Sequence, residues 1–220
     1  MDTPSRYGFP ALFLCLLALL VLPPYFSDLG ISGVSWWLLA TVLLASLYLV
    51  ANNRRQLIIG VVLALPTLAF NMSRELLDIH TSVYLSYLLY VVFFAYIQVF
   101  LLRYFLATRT VTADMIFAAM CAYIIVGLAW MFIYACIELR VPGSFVVAQT
   151  GASPSDMIQF NYFSFVTLTT LGYGDVTPVS DFARSWAMVE AILGQFYLAV
   201  VLARIVGLHI SAQQHDENSK

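Results

Sequence analysis

The sequence predicts an all-α membrane protein, and three observations carry that prediction. Of 220 residues, 62% are hydrophobic and only 10% are charged, whereas a soluble surface takes about a quarter of the chain as charge. Mean hydropathy is +0.88. The apolar residues gather into runs near 9–26, 34–51, 57–72, 83–102, 114–137 and 185–208, each close to the ~20 residues a helix needs to cross ~30 Å of hydrocarbon. A further apolar segment, 156–170, is too short to span and suits a re-entrant helix.

The first run follows Arg6 but leads into Pro23-Pro24-Tyr25 and not a small-residue cleavage site, so it reads as a helix and not a signal peptide. The third holds Pro66, which predicts a kink or a weak anchor. The fourth contains no Arg or Lys; Arg103 and Arg109 come only past its end and read as interfacial anchors. Its aromatics Tyr84, Tyr87 and Tyr90 recur on one face as a packing stripe. Residues 103–114 mix basic and apolar positions and suit a linker along the membrane surface.

Charge between the runs sets the expected orientation. Arg6, Arg54, Arg55, Arg103, Arg109 and Arg204 fall on one side. Asp28, Arg74, Glu75, Asp78, Glu138 and Arg140 fall on the other. Lys and Arg favour the cytoplasm, which places both termini inside and the loop around residue 172 outside. His80 in an outer loop reads as solvated. Net charge of −2 gives no basic patch for nucleic acid. Cys15, Cys121 and Cys136 sit in apolar runs and read as small hydrophobes. No nucleophile–base set, metal cluster or phosphate loop appears, so an enzyme is not expected.

The segment Thr169–Asp175 reads T-T-L-G-Y-G-D. Gly172 and Gly174 flank Tyr173, and glycine reaches φ > 0 without a Cβ penalty, so successive carbonyls can turn to the same side. With its flanking helices, the string resembles the signature of the tetrameric potassium-channel family, in a six-helix, prokaryotic style without a charged voltage sensor. The resemblance covers about residues 114–208; over 1–113 only helix number and order match. It implies four peripheral helices followed by a helix–pore loop–helix module.

Granted that resemblance, the domains are a sensor-like bundle at 1–106, a linker at 107–113, a pore domain at 114–208 and a short, polar, disordered cytoplasmic tail at 209–220. One filter strand per chain cannot close a ring, so a homotetramer in the cell membrane is expected. K⁺ is the permeant ion and no cofactor is implied. The carbonyls of Thr170, Leu171, Gly172 and Tyr173, with the Thr170 hydroxyl, would hold K⁺, and Gly174 would let the strand exit. Leu171 departs from the commoner valine, and its side chain and that of Tyr173 would brace against the pore helices. Two readings compete: a weakly selective monovalent cation channel, and a non-conducting channel subunit. With no charge in the membrane field, little intrinsic voltage dependence follows.

The pore helix is expected over Met157–Thr169, with Ser153 as N-cap and Pro154 at N1. Asp175 is expected to accept a hydrogen bond from Tyr162 behind the filter, with Thr169 as a further filter support. Val166 stands where some relatives carry an acid. Gly194 falls twenty residues after Gly174, as the family's hinge glycine does, with close packing as the alternative. Gln195, Leu198 and Leu202 share a face that would line the cavity and its gate. Glu190 lies about 140° from Gln195 around the helix, which places it against the pore helix. Thr167 and Thr169 are its expected donors. An acid in a membrane run is either structural and protonated or a proton sensor.

Overall fold

The computed structural model describes residues 8–29, 33–51, 53–72, 79–154 and 156–218. Arg6, Asn52, Arg74, Glu75, Asp78 and Ser155, with the side chains of Asp28 and His80, lie outside the described residues. Among those described, the chain forms seven helices and two short strands. In order these are α1 (Gly8–Asp28), α2 (Val34–Val50), α3 (Arg54–Met72), α4 (Ile79–Ala107), α5 (Ala113–Arg140), β1 (Phe145–Val147), α6 (Met157–Leu168), β2 (Val176–Pro178) and α7 (Asp181–Asn218). Four of the helices, α1, α4, α5 and α7, are long and apolar enough to cross a membrane. The apolar α2 has only 17 residues. The first turn of α3 is Arg54-Arg55-Gln56, which dilutes its apolar character. Pro66 sits within α3, and the helix runs through it.

α5 is the wall between the two halves of the chain. Both α4 and α1 pack on one side of it, and α6 and α7 on the other. Lipid is as apolar as leucine, so such contacts rest on close packing and shared hydrogen bonds. The aromatic stripe of α4 supplies the packing. The Tyr90 ring stacks on Phe132 of α5 at 4.4 Å and 3°, and Tyr87 and Phe94 approach the same ring. Tyr84, at 37% exposure, is the member of the stripe left outside. The Tyr96 hydroxyl donates to the Gln56 carbonyl at 2.7 Å, tying α4 to the first turn of α3. Helices α1 and α4 therefore dock directly on α5, with α2 on α1 and α3 on α4.

Only residues 108–112 separate α4 from α5. Thr112 caps α5, its hydroxyl accepting from the Met115 amide at 3.2 Å. The last carbonyls of α4 have no partner within the helix. Arg204 of α7 supplies one. Its guanidinium donates to the carbonyls of Phe105 at 3.2 Å, of Leu106, and of Thr108 at 3.0 Å, and lies 5.5 Å from the Phe105 ring centre. Phe105, Met115 and Ala119 pack there with Val201, Ile205 and Leu208. Arg204 thus clasps α7 to the α4–α5 corner. The expected disordered tail is corrected: α7 continues as helix through Asn218.

The strands were not foreseen in an all-α reading. β1 and β2 pair antiparallel, with Phe145 opposite Pro178 and Val147 opposite Val176. The Ala148 amide extends the ladder to the Asp175 carbonyl at 2.8 Å. This ribbon closes the base of the whole segment 148–175. Glu138, at the end of α5, accepts from the Gly143 and Phe145 amides at 2.6 and 3.1 Å and sets the turn into β1. Ser180 caps α7, accepting from the Ala183 amide at 3.2 Å, and its hydroxyl sits 3.0 Å from that of Ser144.

The α5–α6 contact turns on Gly127. A Cβ there would meet Phe165 ring atoms at 2.7, 2.9 and 3.0 Å. Gly127→Ala is expected to destabilise the folded chain by about 1–3 kcal/mol through overpacking. Adding Phe165→Leu should return part of that loss. Thermal unfolding in detergent of the single and double variants checks both.

Candidate functional site

The site is the reversal at the end of α6. Asp156 starts this helix, its carboxylate accepting from the Gln159 amide at 3.0 Å with β-region backbone angles (φ −147°, ψ 170°). The expected cap, Ser153, is displaced by three residues. Both types cap well, but Pro154 is not helical here and the first helical residue is Met157.

At its other end α6 stops on Thr170 in the left-handed region, φ 58°. The Thr170 amide donates to the Thr167 carbonyl at 2.9 Å and the Leu171 amide to the Val166 carbonyl at 2.9 Å. That pairing is a Schellman stop, whose left-handed residue is usually glycine. A β-branched residue there is strained, by about 1–2 kcal/mol. The strain is held in place from both sides: the Thr170 hydroxyl donates to the Thr169 carbonyl at 2.7 Å, and Gln195 of α7 donates to that hydroxyl at 3.3 Å. The Gly172 amide also reaches the Val166 carbonyl, at 3.2 Å.

Beyond the stop, handedness alternates. Thr170, Gly172 and Gly174 have φ of 58°, 59° and 76°, while Leu171 and Tyr173 between them have negative φ. Alternation of this kind swings successive peptide groups to one side of the strand. Within one chain the Leu171 and Tyr173 side chains are uncovered, at 55% and 66% exposure. Their expected bracing is against the pore helices of a ring, and a single chain offers no neighbour to cover them.

Behind the strand, the Tyr162 hydroxyl donates to Asp175 at 2.6 Å, and the Val176 amide donates to the same carboxylate at 3.0 Å. The Tyr162 bond holds the Asp175 carboxyl below its usual range. Thr169, placed among the filter supports, donates to the Phe165 carbonyl at 2.7 Å.

α7 holds α6 from the other side. A Cβ on Gly194 would strike the Leu168 carbonyl oxygen. α7 is unbroken at this point. Gly194 is therefore a close-packing residue in this conformation. Tyr123 of α5 donates to the same Leu168 carbonyl at 3.3 Å. Gln195 lies at the foot of the strand, as its contact with Thr170 requires. Leu198 instead borders an apolar groove of about 530 Å³ between α1, α5 and α7. Leu202 is uncovered at 65%. Gln195, Leu198 and Leu202 are all exposed within the single chain.

Glu190 is fully buried, and no other acidic or basic residue among those described is. An ionised side chain at membrane depth costs about 2.5 kcal/mol or more, so its partners matter. They are the Tyr134 hydroxyl of α5 and the Ser164 hydroxyl of α6, the latter at 2.6 Å. Ser164 also lies 2.8 Å from the Gly127 carbonyl. Glu190 does face the pore helix, but its expected donors Thr167 and Thr169 are corrected: the contact is one turn nearer the helix start. Tyr134 had no signal in the sequence, because an apolar run does not reveal which way its helix is rotated.

Gly194→Ala should force α7 and α6 apart and lower the unfolding temperature more than Gly127→Ala, because a backbone carbonyl cannot swing aside as a ring can. In Tyr162→Phe, Asp175 should titrate at higher pH, nearer the ordinary carboxylate value. The bond contributes above that value and is lost as pH falls through the lowered one, so wild type keeps the advantage near neutral pH and converges on the variant, which never has the bond, at acid pH. Carbon NMR titration of the carboxyl reads the shift.

A family model described as an ion channel matches residues 135–209, from the last six residues of α5 through the 170–175 reversal into α7. Two pore potassium channel c of Oryza sativa subsp. japonica is 29% identical over 94 residues, 40% of this chain and 20% of that protein. Two-pore potassium channel 5 of Arabidopsis thaliana is 28% identical over 65 residues, 30% of this chain and 16% of that protein. The chain thus spans about a fifth of the length of these plant relatives. Protein LctB of Geobacillus stearothermophilus is 30% identical over 103 residues, 46% of this chain and 76% of that protein. No solved structure matches the chain. The chain belongs to the ion-channel family that the matching model describes, and potassium channels are among its relatives.

Proposed function

We propose that four copies of this chain form a potassium-selective channel that conducts K⁺ passively across the cell membrane. The observation that carries the reading is the alternating handedness of Thr170, Leu171, Gly172, Tyr173 and Gly174. Carbonyls turned to one side can replace the water shell of a dehydrated cation, but only where several strands surround it. A single strand gives one oxygen per level, so closed fourfold symmetry completes each ring. Uncovered Leu171 and Tyr173, and the broadly exposed apolar surface of α7, support an assembly in which neighbours cover them. The plant relatives' names support K⁺ as the ion.

In this reading six helices span the membrane, with α2 and α3 as the short members, and both termini are cytoplasmic. Gln195 stands at the inner foot of the filter, and Leu202 faces the conduction path below it. Arg103 is the only Lys or Arg in α4, and it lies just before the last turn of the helix. Moving one charge through the field is worth ~2.3 kcal/mol per 100 mV, so a helix that moves none leaves opening nearly independent of voltage.

Purified protein in liposomes should pass K⁺, exclude Na⁺ and be blocked by Ba²⁺. Equal flux of both ions would instead favour a weakly selective channel loosened at Leu171. Absence of flux at all voltages and pH values would favour a non-conducting subunit. Gly172→Ala places a Cβ at φ 59°, which costs about 1–2 kcal/mol in the left-handed region. It should abolish K⁺ selectivity while leaving the protein folded.

A further inference from the structure

Three close contacts surround the buried Glu190: Tyr134 to its Oε2, Ser164 Oγ to its Oε1 at 2.6 Å, and Ser164 Oγ to the Gly127 carbonyl at 2.8 Å. Each needs one proton. A phenol and a hydroxyl carry one proton each, and a carbonyl carries none. An ionised carboxylate therefore leaves one of the two Ser164 contacts without a proton. A protonated carboxyl leaves none. It donates from Oε1 to Ser164, Ser164 donates to the Gly127 carbonyl, and Tyr134 donates to Oε2. The proton positions follow from satisfying the network.

The surroundings agree with a neutral acid. The titratable groups facing it come from α5, namely Tyr134 and the more distant Tyr123, whose hydroxyl is bonded to the Leu168 carbonyl. From α6 it meets only the uncharged Ser164. Among the described residues no Arg, Lys or His bonds to it; Arg184 lies beside Asp181 and Arg204 on the end of α4. A buried acid without a cation is held neutral or becomes costly.

We infer that Glu190 is a protonated positioning residue, whose proton ties α7 and the pore helix α6 to α5 and so holds the filter at its mount. This rests on the conduction reading above for its consequence, but not for its chemistry. Loss of the proton would draw Ser164 away from the Gly127 carbonyl, place a bare charge behind the pore helix and invite water. Conduction should then fall at alkaline pH.

The test uses full-length protein in liposomes. The infrared difference spectrum between wild type and Glu190→Gln at neutral pH should contain a protonated-carboxyl C=O band that the variant lacks. The amide of Glu190→Gln can donate to Ser164 and accept from Tyr134, so its K⁺ flux should match wild type at neutral pH. Wild-type flux should fall several-fold and reversibly toward alkaline pH, and Glu190→Gln should stay flat. Glu190→Ala, which strands the Tyr134 hydroxyl and unties α7 from Ser164, should conduct poorly at every pH. Absence of the band, a flat wild-type profile, or the same alkaline fall in Glu190→Gln would each overturn the inference. If neither protein passes K⁺ at any pH, the conduction reading fails, and the presence or absence of the carboxyl band alone decides whether Glu190 holds its proton.

Discussion

Two amides, those of Leu171 and Gly172, converge on the Val166 carbonyl at 2.9 and 3.2 Å, and the path of the filter strand depends on that reversal. It takes the chain off the end of α6 within a residue or two and turns it back. The left-handed Thr170 is what makes the turn so tight. Strained backbone of this kind persists only where its surroundings over-determine it. Here they do so through the Thr169 carbonyl on one side and Gln195 on the other.

Almost everything else near the site serves to keep α6 where the reversal needs it. The Asp156 cap fixes its start. The ribbon and the Ala148–Asp175 bond close the loop beneath it. Two glycines, Gly127 and Gly194, let helices approach where no side chain fits. Tyr123 and Gly194 converge on one carbonyl, that of Leu168. In lipid, where burying an apolar group gains little over leaving it exposed, such close approaches and shared bonds are the available means of fixing geometry. The 170–174 strand is thus located by polar and steric contacts, and the aromatic packing of α4 on α5 supports the wall they are mounted on.

Much of this could be read from the sequence because it rests on local signals. Long apolar runs marked the helices, and the alternation of Gly172 and Gly174 around Tyr173 marked the strand. Tyr162 and Asp175 were paired in advance from the resemblance, and the structure places them 2.6 Å apart. What escaped depends on rotation and register. Strands of three residues are too short for a period to emerge, so the ribbon was invisible. Tyr134 lies in an apolar helix whose facing residues no pattern discloses. Arg204 was legible as a charge at a membrane edge, but its three carbonyl partners lie almost a hundred residues away in the chain. Ser153 and Asp156 are both good caps, and only the observed path chooses between them.

The clasp of Arg204 on the end of α4 has a consequence for subunits of mixed origin. With only residues 108–112 between α4 and α5, and with α1 and α4 docked on the same chain's α5, each chain carries its N-terminal helices already joined to the segment from α5 to α7. In an assembly of non-identical copies the two halves would be inherited together. In the fourfold assembly proposed above, a change in one copy's α1 or α4 would bear first on that copy's own 170–174 strand and leave those of its neighbours unmarked.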